Sequence, residues 1–467
     1  MTRPPFGFGP SDRPDEEPSG NDPFGLSAMF GGALGGDVLG GLQRLLSWTG
    51  GPVNWDLARE VASTAARAQD PPVTADQRRE IADACRLADL WLDPVTTLPA
   101  HAGEPQAWTR LGWLEATLPA WRQLVDPVAG RVVAAMGQSL GQGLAGGGLG
   151  EGGLGEGLPP ELAGMLSALG GPDAMKGVMD QVGGLVFGAQ VGQALGALAG
   201  EVLGATDVGL PLGESGRCAL LPANVAAFGE GLEVPADQVR LYLALREAAH
   251  TRLFASVPWL RAHLFDAVDA YARGIEVDPA AIERAVGSFD VADPASLQEA
   301  MTSGMFDLPP TPAQTAALGR LETVLALVEG WVDAVVDAAA TGPLPHAVAL
   351  RETVRRRRAS GGPAEQTFAT LVGLQLRPRR LREAAALWAA VTAGRGIEGR
   401  DALWAHPDLL PGGSDLDDPT AWSTAPSAGD EGQTDWDAGL RDLDKDLDGE
   451  LDDDARRPGE DPAPPAG

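Results

Sequence analysis

Cysteine is nearly missing from this chain: Cys85 and Cys218 are the only two. A pair without C-x-x-C spacing excludes a disulfide framework and a thiolate metal cluster. Aromatic residues are few, 5% of the total with two tyrosines, and alternating β-branched runs are scarce. Little is left to build a sheet, and the expected fold is mainly α. Basic residues are outnumbered, 35 against 65 acidic ones, for a formal charge of −30. That excludes a nucleic-acid surface and leaves a peptide or protein partner as the open class. No G-x-x-x-x-G-K-[S/T] is present, so the glycines form no phosphate loop. Met1 to Gly20 carries neither a basic run nor an apolar stretch; no secretory leader is read there, and a cytoplasmic location is expected.

What the chain has in quantity is alanine, glycine (62 of 467 residues) and proline (38). Its 44% hydrophobic residues suffice for one large core or two modest ones. Residues 1–50 read as a disordered arm rich in Gly, Pro and Asp, residues 51–406 as a helical domain, and residues 407–467 as an acidic disordered tail. From Pro411 onward, 17 acidic residues face four basic ones. There Asp444, Asp446, Asp448 and Gly449 copy the opening of a calcium-binding EF-hand loop. Ala455, however, takes the position that needs a bidentate glutamate, so a solvated tail is expected. Gly141 to Gly157 reads as a flexible loop. Gly184, Gly188, Gly192, Gly196, Gly200 and Gly204 recur every four residues, a groove of small residues into which a second helix packs. Val182 to Leu203 approaches membrane-spanning length, but Gln190, Gln193 and Glu201 interrupt it and basic flanks are missing. A buried helix is expected there in preference to a membrane-associated one.

Helical periodicity is clearest over residues 75–92, 236–254 and 312–340. In the second segment Val239, Leu243, Arg246, His250 and Leu253 form one stripe at spacings of three and four. The stripe contains Arg246-Glu247-Ala248-Ala249-His250, one residue short of the zinc-protease signature H-E-x-x-H. In that signature two histidines on one helix face bind Zn²⁺, and the glutamate is general base toward the metal-activated water. Glu247 and His250 fill the base and second-ligand positions. Arg246 stands at the first, and a guanidinium has no lone pair for a metal. A charge on an apolar stripe needs a partner. Thr311-Pro312-Ala313-Gln314 is a helix start with an N-cap, a first-turn proline and a capping-box glutamine. The helix it opens places Glu329 and Asp333 beside its apolar face, a pair that repels unless a cation sits nearby.

With these residues the chain resembles the type 2 zincin-like metallopeptidases, whose members carry hydrolase labels, some linked to deazaflavin coenzyme biosynthesis. The resemblance runs through Pro5-Phe6-Gly7-Phe8-Gly9, Gly51-Pro52-Val53-Asn54-Trp55-Asp56 and Leu245 to His250, then Val257-Pro258-Trp259-Leu260. It resumes at Val328-Glu329-Gly330-Trp331-Val332-Asp333, Gly361 to Gln366, Arg400-Asp401-Ala402-Leu403-Trp404 and His406 to Leu410. It implies a zincin-like helical fold, with Glu329 in the place of the gluzincin third ligand and Asp333 in support. It also implies zinc, and the departure at Arg246 argues against that metal. Two readings follow. In one, the protein is a degenerate zincin in which Arg246 bridges Glu329 and Glu247 where the metal would be. In the other, it is an active zinc hydrolase using His250, Glu329 and an unidentified third ligand, with Glu247 as base. Arg355 to Arg358 reads as a solvated basic run paired with the protein's own carboxylates, or as a dock for an acidic group. His101, His263 and His406 lack ligand spacing; His346 follows the Glu329 helix closely enough to return to its end.

Overall fold

The computed structural model describes residues 50–67, 69–146, 172–274, 311–359, 380–418 and 422. Residues 1–49 of the expected 1–50 arm, most of the acidic tail with its Asp444 motif, and Gly361 to Gln366 lie outside the described residues. Among the described residues ten helices carry the fold: α1 Trp55–Arg67, α2 Ala75–Leu92, α3 Arg110–Gly146, α4 Pro172–Ala199 and α5 Pro222–Gly229, then α6 Ala236–Ser256, α7 Pro258–Arg273, α8 Pro312–Ala340, α9 Ala347–Ala359 and α10 Leu381–Ala402. Two two-residue strands, β1 Gln106–Ala107 and β2 Ala219–Leu220, pair in parallel. The fold is mainly α, as composition implied. α3 ends later than expected: the helix runs on through Gly146 and takes in the first residues of the anticipated 141–157 loop.

The three helices with the clearest periodicity form where expected, and for local reasons. Thr74 caps α2 and Thr311 caps α8, each closing a capping box with a glutamine three residues on, Gln77 and Gln314; both boxes satisfy backbone donors that a helix start leaves orphaned. α6 lies at the centre of the core, with fourteen of its 21 residues buried, Arg246, Glu247 and His250 among them. It packs on α2, and α8 crosses it. Arg252, 1% exposed, ties α6 to α2 by donating to Asp89 and Asp93.

The glycine ladder is used by α1. Gly188, Gly192 and Gly196 of α4 face Asn54, Ala58 and Ala65, so closely that a Cβ on Gly188 would sit 2.6 Å from the Asn54 carbonyl oxygen and one on Gly196 2.7 Å from the Ala65 Cβ. The Asn54 amide donates to Gly184 O at 2.8 Å across the same contact. Gly200 and Gly204 fall beyond the end of α4, where the chain turns into the 203–217 loop. None of the described helices is long and apolar enough to cross a membrane. Past α10, packing continues through two short 3₁₀ turns to Leu416, which is fully buried.

Candidate functional site

Where α6 crosses α8, Arg246 and His250 of one helix meet Glu329 and Asp333 of the other out of reach of solvent. Arg246 donates through Nη2 to Glu329 Oε2 at 2.8 Å and through Nη1 to Asp333 Oδ1 at 2.5 Å. Its planar fork spans two carboxylates one helical turn apart, the geometry that makes such pairs strong. Glu329 and Asp333 side chains are each 2% exposed and that of Arg246 6%. His250 lies one turn on from Arg246. Its Nδ1 is 2.9 Å from the Arg246 carbonyl oxygen and its Nε2 3.0 Å from Glu329 Oε1, while the ring stacks on Phe254.

A third helix closes the cluster. α9 brings Arg355 Nε to Asp333 Oδ2 at 2.8 Å and Arg358 Nη1 to Glu329 Oε1 at 2.6 Å. Arg357 donates to Asp207 Oδ2 at 2.9 Å. The basic run therefore does pair with the protein's own carboxylates, but most of it faces inward; Arg356, paired with Glu352, is the exposed member. Arg355 and Arg358, expected on a solvated face or as a dock for an acidic group, are thus two residues of the site that the sequence did not assign to it. An arginine run on a strongly acidic chain was the available signal.

Glu247 goes elsewhere. Its carboxylate turns to the loop after α4, accepting from the backbone amides of Ala205 and Thr206 at 3.1 and 3.2 Å and from Thr206 Oγ1 at 2.7 Å. The expected bridge between Arg246 and Glu247 is replaced by one between Arg246 and Asp333, because adjacent positions on a helix point about 100° apart. Gly204 makes this possible: a Cβ there would run into the Glu247 carboxylate and come within 2.8 Å of Ala219 O. The same loop passes close to Glu329: a Cβ on Gly209, which sits at φ +78°, would come within 3.2 Å of Oε1. The other histidines stay outside: His346 Nδ1 pairs with Gln238, His263 rests edge-on against Trp259, His101 faces Ser256, and His406 caps a 3₁₀ turn.

Electrostatics follow from these contacts. Burial opposes ionisation of Glu329, yet Arg358, His250 and Arg246 hold its pKa well below the usual carboxylate range. Burial likewise works against the Arg246 cation, and Asp333 and Glu329 more than offset it, raising its pKa above the usual arginine value. Glu247 is pushed up to about 7 by burial, which its bonds to Thr206 only partly counter.

This donor set does not suit the zinc ion that the resemblance implies. The anchoring of His250 Nδ1 on a backbone carbonyl is what a ligating imidazole wants, and its distance from Glu329 would suit two ligands of one tetrahedral ion. But Arg246 has no lone pair, and both Glu329 oxygens are held by guanidinium groups. A dication there would sit against Arg246 and Arg358. Among the described residues, no group of three His, Cys, Asp or Glu is arranged to hold a metal. The space enclosed between Gly204, Glu247, His250 and Arg358 is about 20 Å³, room for about one water.

A family model described as zincin-like metallopeptidase matches residues 53–423. A crystal structure from Chloroflexus aurantiacus, described as a putative hydrolase with a novel fold, superposes with a TM-score of 0.53 at 19% identity, covering 79% of this chain and 97% of the other. At that identity the likeness speaks for the fold alone. No curated protein matches the chain.

Proposed function

The chain belongs to the zincin-like metallopeptidase family, and from that premise we propose that it is a metal-free member, catalytically degenerate at the inherited zinc position, that works by binding a peptide or protein. The observation that carries this reading is the Arg246 guanidinium between Glu329 and Asp333. In this reading the cation the two carboxylates require comes from the chain itself, and Arg358 supplies a second. Glu247 then serves as a buried clamp on the 205–206 backbone in place of a general base. A cytoplasmic setting suits the two free buried thiols, Cys85 and Cys218, whose sulfur atoms lie 2.8 Å apart.

The alternative reading is an active zinc-dependent hydrolase holding its metal on His250 and Glu329 plus an unidentified ligand. The spacing of His250 Nε2 and Glu329 Oε1 favours it, and it requires Arg246 and Arg358 to leave the carboxylate. Metal analysis separates the two. Purified full-length protein is expected to carry no stoichiometric zinc, and a chelator is expected to leave its Tm unchanged. One tightly bound zinc per chain, or zinc-dependent peptide hydrolysis, would restore the hydrolase. Arg246→His is expected to gain zinc affinity by completing the two-histidine helix face opposite Glu329.

A further inference from the structure

Behind the Glu247 clamp, on the outer side of the 203–217 loop, lies a cavity of about 290 Å³ bounded by that loop, α6 and α7. Its lining is unusual for so acidic a chain, with Arg217 and Arg261 against the single carboxylate of Glu214. Neither arginine is fully used. Arg217 Nη2 reaches the exposed Glu214 at 3.1 Å, while its buried Nε has no partner. Arg261 makes long contacts, 3.4 Å to the Pro211 carbonyl and 3.5 Å to Gln123, and lies over the Phe265 ring. Burial pulls Arg261 below the usual arginine range, the shift of a cation set among apolar groups.

A second, independent feature points to a ligand. Thr251, on α6 directly after His250, lines the cavity and is 8% exposed, yet its hydroxyl has no hydrogen-bond partner. Helical threonines elsewhere in the chain bond the carbonyl four residues back, as Thr117 does with Trp113 and Thr392 with Trp388. A buried hydroxyl left unsatisfied is costly, so its place beside two under-used guanidinium groups calls for an acceptor from outside. Phe254 and Pro211 add apolar surface to the same lining.

We propose that this cavity binds a small organic carboxylate. Arg217 and Arg261 share its negative charge, the Thr251 hydroxyl donates to it, and its apolar body lies on Phe254 and Pro211. A C-terminal peptide carboxylate has this chemistry. Glu214 at the rim disfavours a dianion, which selects carboxylate over phosphate. The site stands apart from the Arg246 cluster and does not depend on that cluster being metal-free.

Titration calorimetry on the full-length protein with hippurate, its neutral amide and inorganic phosphate tests the assignment. Hippurate is expected to bind saturably at one site, and the amide at least about tenfold more weakly. Arg217→Met and Arg261→Met are each expected to weaken hippurate about tenfold. Thr251→Val is the decisive variant: it should weaken binding while leaving the Tm equal or higher, a split that a merely structural hydroxyl does not produce. No saturable binding of hippurate, equal binding of the amide, or binding of phosphate in its place overturns the proposal. So does unchanged hippurate affinity in both arginine variants.

Discussion

Arg246 is held in place by what it would leave behind. Its removal exposes two carboxylates, Glu329 and Asp333, to a dry interior with Arg355 and Arg358 as their remaining cations. Arg246→Ala is therefore expected to destabilise the protein by about 3–5 kcal/mol, read by chemical denaturation. The same change made together with Glu329→Gln is expected to cost less than the sum of the two single changes, since the orphaned charge disappears with its partner. Strict additivity would show that the pair is not coupled. At this scale the sequence was informative: charges on apolar stripes at Arg246, His250, Glu329 and Asp333 demanded partners, and each found one within the set. The partners of Glu247 are two backbone amides and the Thr206 hydroxyl of a loop some forty residues earlier, and neither an amide nor a lone threonine marks itself in the sequence as a carboxylate's partner.

Helices in this fold are positioned by glycines and capped by threonines, and one position tests the first of these. Gly330, between Glu329 and Trp331, lets α10 approach α8 so closely that a Cβ would fall 2.7 Å from the Ala384 Cβ and carbonyl carbon. Trp388 of α10 donates to the Leu327 carbonyl at 2.8 Å across the same contact. Gly330→Ala is expected to separate the helices and cost roughly 1–3 kcal/mol, visible as a lower midpoint in denaturant with little change of slope. An unchanged midpoint would mean that α10 shifts freely. Capping boxes and periodicity made α2, α6 and α8 legible from sequence. The inward face of α9 was not, because Arg355, Arg357 and Arg358 acquire their carboxylates from helices and loops brought together only by the tertiary fold. The meeting of Cys85 and Cys218, 133 residues apart, was hidden for the same reason.

For the whole molecule, buried carboxylates set how stability responds to pH. Glu329, Asp207 and Asp401 all have pKa values lowered in the folded state: burial opposes this, and Arg358, Arg357 and Arg400 respectively lead the groups that outweigh it. Their contribution is present above the unfolded carboxylate range and is lost as the pH falls below about 4. Glu247 acts in the opposite sense. With a folded pKa of about 7, it favours the folded state less and less as the pH rises from about 4.5 to 7, by about 3 kcal/mol in all. Stability is thus expected to peak near pH 5, and Glu247→Gln to flatten the fall between pH 5 and 7 in Tm measurements. The same slope in the variant would assign the fall to the net charge of −30 acting through general repulsion.

The α1–α4 contact also constrains which sequences can descend from this one. A side chain at Gly188 meets the Asn54 carbonyl oxygen at 2.6 Å, which is backbone and cannot be mutated away, whereas one at Gly196 meets the Ala65 methyl at 2.7 Å, which can, and the Ala62 backbone only at 3.3 Å. Gly188 is therefore expected to stay fixed, while Gly196 and Ala65 are free to exchange roles. Among relatives of this chain, alanine or serine at the first should appear together with glycine at the second.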